Sequence, residues 1–117
     1  MKVIYHNKKI EDLCENLTKA TKKLRKEVAE RLHKLVNLFE SFTNLYDIKV
    51  LPTYRLHLLK GERQNQYSIT LSKGSKWRLI LYPLDEDENV ITDFKDEKTA
   101  LIKSIKIEIL EVSEHYE

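Results

Sequence analysis

Within the ten residues Tyr54-Arg55-Leu56-His57-Leu58-Leu59-Lys60-Gly61-Glu62-Arg63 the chain places two arginines, a lysine and a histidine. An imidazole titrates near neutral pH and can take or give a proton. A guanidinium fork or an ammonium offsets the negative charge that builds on phosphate oxygens during displacement at phosphorus. Together these groups suit proton-assisted chemistry on a phosphate. Arg78 adds a cation from a neighbouring segment. The cluster Ser113-Glu114-His115-Tyr116-Glu117 adds a second imidazole and a phenol able to stack on a base or move a proton. Singly, each is also an ordinary surface residue; the grouping is what points to a site.

Strands must hold such groups, and the patterning supplies them. After Pro52 apolar residues alternate: Leu56 and Leu58 against Arg55 and His57, then Tyr67, Ile69 and Leu71, then Trp77, Leu79 and Leu81. Gly61 ends the first of these strands, and Lys73-Gly74-Ser75-Lys76 reads as a hairpin turn. Lys2 to His6 forms a short first strand, and Ile105, Ile107 and Ile109 open the last. Between them, Ile10, Leu13, Cys14, Leu17 and Leu24, then Val28, Leu32, Leu35, Val36, Phe39 and Phe42, recur at helical spacing. The pattern predicts an α+β fold, with a two-helix hairpin on one face of a mainly antiparallel sheet of four to five strands. At 117 residues the chain fits one domain, 1–117.

Charge is segregated. Residues 49–82 hold seven basic groups and one acid, whereas 85–97 hold seven acids and one base, so the net charge of +2 conceals a basic central block suited to nucleic acid. The acidic stretch reads as a solvated loop; it lacks the Asp/Asn spacing and central glycine of a calcium loop. The four histidines form no ligand pair, and the lone Cys14 falls on an apolar helix face, so neither a metal site nor a cofactor is expected. One cysteine and no membrane-length apolar run suggest a reducing, cytoplasmic setting.

The segment Leu51-Pro52-Thr53-Tyr54-Arg55-Leu56-His57-Leu58-Leu59-Lys60-Gly61-Glu62-Arg63, with Gln66-Tyr67-Ser68-Ile69, Trp77-Arg78-Leu79-Ile80 and residues 107–116, resembles the HigB-like branch of the RelE/ParE superfamily of bacterial toxins. The resemblance covers most of the chain. It implies the toxin of a type II toxin-antitoxin system: a metal-independent mRNA endonuclease on the ribosome, restrained by a HigA-like helix-turn-helix antitoxin in a hetero-oligomeric complex. By position, His57 matches the family's acid–base histidine, Lys60 and Arg78 its phosphate stabilisers, and Tyr116 its terminal tyrosine. Arg55, Arg63, Lys73 and Lys76 would hold the RNA backbone. The tail His115-Tyr116-Glu117 departs from the family's Asp-Tyr-His ending and makes His115 a further candidate. Two alternatives share the fold: a ParE-like DNA gyrase inhibitor and a catalytically silent antitoxin-binding protein.

Overall fold

The computed structural model describes residues 1–71, 74 and 76–114. Strand β1 (Lys2–Tyr5) leads into α1 (Lys8–Glu15), α2 (Leu17–Lys23) and α3 (Lys26–Ser41). After α4 (Tyr46–Lys49) come β2 (His57–Leu58), β3 (Tyr67–Thr70), β4 (Trp77–Leu84), α5 (Glu97–Lys103) and β5 (Lys106–Glu114). Among the described residues the strands form a five-stranded sheet in the order β1-β5-β4-β3-β2, with only the β1–β5 pair parallel. The α+β class and the mainly antiparallel sheet are as expected.

The helical hairpin is more finely divided than its periodicity suggests. Its first arm breaks at Asn16, whose extended backbone ends α1 while its side chain accepts from Lys19 N–H to cap α2. The turn into α3 follows at Leu24 and Arg25. Asn7 caps α1 in the same way. Val28, Ala29, Leu32, Leu35, Val36 and Phe39 of α3 are buried against the sheet. Burial pushes the Cys14 thiol up to about 12, which makes it an inert core group. His33 is half-buried, with its Nε2 3.2 Å from the Leu13 carbonyl, so it ties α3 to α1.

Residues 85–96 form a loop, as expected, joined to β4 by the Leu84–Val90 bridge. The Asp85 carboxylate accepts from Asp87 and Asn89 N–H to close a tight turn. Asp96 then caps α5 through Thr99. Among the described residues no helix is long and apolar enough to cross a membrane.

Candidate active site

One face of the sheet lies under the helices and the other carries a cleft. Cross-strand register builds this second face row by row: His57 opposite Ser68, Ser68 opposite Ile80, Ile80 opposite Glu111. A second row runs Thr70, Arg78, Ser113. The cleft encloses about 210 Å³ and is lined by Arg55, His57, Leu59, Arg63, Ser68, Thr70, Arg78 and Ile80. Four of the residues singled out from sequence, on four different segments, therefore share one concavity. Lys60 lies at its rim, in an adjoining depression shared with His57 and Arg63.

Local structure explains how each group is aimed. Pro52 opens a 3-10 turn, Pro52–Tyr54, that closes on Arg55 at φ 48°, in the left-handed region that non-glycine residues seldom occupy. Arg55 is thus a turn terminus and not a strand neighbour of His57, which corrects the alternation expected there. The turn has a use. It presents the Arg55 carbonyl 2.9 Å from His57 Nδ1. A carbonyl only accepts, so Nδ1 bears the hydrogen, and in the neutral form of the ring the lone pair lies on Nε2. Gly61, at φ 69°, starts a second 3-10 turn, Gly61–Arg63, which swings Arg63 back over the sheet. Arg78 is half-buried on β4 and donates to the Trp77 carbonyl at 3.1 Å.

The fold is shared with a known toxin. The YoeB/ParE toxin from Agrobacterium tumefaciens superposes on the chain with a TM-score of 0.50 and 13% sequence identity, over 99% of this chain and 100% of that one. No protein-family model matches the sequence. No curated protein matches it either. At this identity the likeness shows the fold alone.

The cleft face also holds residues that sequence reasoning passes over. Ser68 and Thr70 are buried polar residues in the lining. Glu111 forms an ion pair with Arg63 and accepts from Ser113 Oγ at 2.7 Å. Glu111 reaches this face because β5 is bulged. Ile80 pairs with Glu111 but Leu81 pairs with Ile109, leaving Leu110 as the extra residue. The sign was in the sequence: Ile107 and Ile109 step by two, then Val112 follows by three.

Behind the cleft, Lys49 Nζ donates to the Leu56 carbonyl at 3.1 Å and pairs with Glu97 at 3.3 Å. Glu97 accepts from the buried Tyr67 hydroxyl at 2.8 Å, and Phe94 packs edge-on to the same ring. Burial, then the bond to Glu97, raises the Tyr67 phenol well above its ordinary value. The acidic segment thereby braces the two-residue strand that carries His57. Lys76 is exposed just before β4, outside the cleft lining. Lys73, His115 and Tyr116 lie outside the described residues.

Proposed function

We propose that the protein is the toxin of a type II toxin-antitoxin pair and acts as a metal-independent endoribonuclease on mRNA in the ribosome. The observation that carries this reading is the cleft itself, where His57 stands among Arg55, Arg63 and Arg78. Support for the toxin class comes from a shared fold with a YoeB/ParE toxin, and support for HigB-like ancestry from the motif around His57. The partner would be a HigA-like helix-turn-helix antitoxin, and the setting the cytoplasm.

In this mechanism the RNA 2′-hydroxyl is the nucleophile. Its proton passes to the unprotonated His57 Nε2, which the Arg55 carbonyl leaves available. The 2′-oxygen bonds to phosphorus as the bond to the 5′-oxygen breaks, yielding a 2′,3′-cyclic phosphate and a 5′-hydroxyl. Arg78 and Lys60, with Arg55 and Arg63, offset charge on the phosphate oxygens. By resemblance, Tyr116 or His115 protonates the leaving oxygen. Lys73 and Lys76 would grip the backbone further along the strand, with binding that weakens as salt rises.

Primer extension on a translated message, with and without ribosomes, tests the proposal. Cuts that require both ribosomes and His57 are expected. Intact message alongside arrested replication would favour gyrase inhibition, the reading that the ParE part of the neighbour's name keeps in view.

A further inference from the structure

A carboxylate is an odd guest on a face meant for phosphate, and Glu111 sits on the same row as His57, Ser68 and Ile80. It is placed there deliberately by the fold: without the extra residue Leu110, the alternation of β5 would turn position 111 toward the helices. Both of its oxygens are engaged, Oε1 by Arg63 Nη1 and Oε2 by Ser113 Oγ. Arg63 Nη1 also donates to Gln66 Oε1 at 3.4 Å. Gln66 Nε2 in turn donates to the Tyr82 hydroxyl at 3.2 Å. A carboxylate and a phosphodiester present the same pair of acceptor oxygens to a guanidinium.

Building on the proposed function, we propose that Glu111 is an internal stand-in for the substrate phosphate, occupying Arg63 in the free protein and yielding it when an RNA backbone enters the cleft. Arg63 then contributes only to ligands that bring enough other contacts to displace the carboxylate. Isolated phosphate or a single nucleotide is refused, and an extended strand is admitted. The residue acts as a determinant of specificity through competition, and takes no part in the proton transfers.

The test is binding of a short 2′-O-methyl RNA, which cannot be cleaved, by fluorescence anisotropy over a salt series. Glu111→Gln keeps the shape of the side chain and removes its charge. It is expected to tighten RNA binding about 3- to 10-fold and to steepen the log–log salt dependence by about 0.7, the contribution of one more phosphate contact to single-stranded nucleic acid. In an Arg63→Ala background the same change should have no effect. In parallel, titration with inorganic phosphate, followed by NMR at the Arg63 Nε–H, should show saturable shifts in Glu111→Gln at concentrations that leave the wild type unmoved. Weaker RNA binding or an unchanged salt slope in Glu111→Gln would overturn the proposal, and show that Glu111 serves only to orient Arg63. If Arg78→Ala left RNA affinity untouched, the cleft would not be the RNA site and the proposed function would fall. The phosphate titration would then decide the competition between Glu111 and an anion by itself.

Discussion

The two faces of the sheet come from the same strands and obey opposite rules. On the face under the helices, Tyr67, Ile69, Leu79, Leu81, Ile107 and Ile109 are fully buried, and the Tyr67 hydroxyl is satisfied by Glu97. On the cleft face one residue further along each strand, serine, threonine, arginine, histidine and glutamate stand side by side. The first face draws its stability from apolar burial. On the second, the charged groups are held by specific bonds: a backbone carbonyl for His57, a carboxylate for Arg63, a hydroxyl for that carboxylate. Stability and chemistry are thus separated by a single step along a strand.

That separation can be broken from either side. His57→Ala should lower the rate of RNA cleavage by about 10²- to 10⁴-fold, read by primer extension, while its unfolding midpoint stays within the range of an exposed substitution, about 0.5 kcal/mol. Full toxicity in that variant would remove His57 from the mechanism. Leu79→Ala, on the same sheet but the covered face, should do the reverse. About 2–5 kcal/mol of folding stability is lost in denaturant titration, and the folded fraction still engages RNA. Smaller, and sharper as a probe of the boundary between the faces, is Tyr67→Phe. Loss of its bond to Glu97 should reduce stability by about 1–2 kcal/mol and speed amide exchange at His57 and Leu58, because Lys49 and Glu97 brace that strand from behind.

The last test is a pH dependence confined to the covered side. The Cys14 thiol is raised from 9.0 to about 12 by burial, so between those values the unfolded chain has lost a proton that the native one keeps. Stability should therefore be full below pH 9 and fall as pH rises towards 12, by at most about 1.4 kcal/mol per unit. Tyr67 and Tyr5, also raised mainly by burial, steepen the fall above pH 10. Cys14→Ala should flatten the stability curve between pH 9 and 10 in urea titrations; an unaltered slope would show that the thiol is not its source.

Much of the covered face was legible in the sequence, because apolar periodicity reports burial directly: α3 and strands β3 and β4 follow their patterns. The cleft face was legible only in part. His57, Arg63 and Arg78 stood out by type, and the strand alternation set His57 and Arg78 on the face opposite the apolar one. Arg55 was misplaced in a strand because Pro52 starts a turn that alternation cannot see. Glu111 was overlooked because one bulged residue inverts the face assignment of all that follows it. Helix α5 was missed because it begins only at the last residue of the acidic run, where Asp96 reads as one more charge until Thr99 turns it into a cap. Each miss is a local backbone event at a point where side-chain pattern and chain direction part company.

The place of β5 in the sheet sets an order of assembly. It lies between β1 and β4, so it must close one pairing with the start of the described chain and another with its middle. The β3–β4 hairpin is a local contact and can form early; β1 has no partner until residues 106–109 arrive. Long-range pairing of this kind slows folding. Because β5 also carries Glu111, docking of that strand is the step at which Arg63 acquires its carboxylate. Until then, a folding chain presents its cationic half-cleft unguarded, and the interval before sheet closure is when it is most prone to stray association with polyanions.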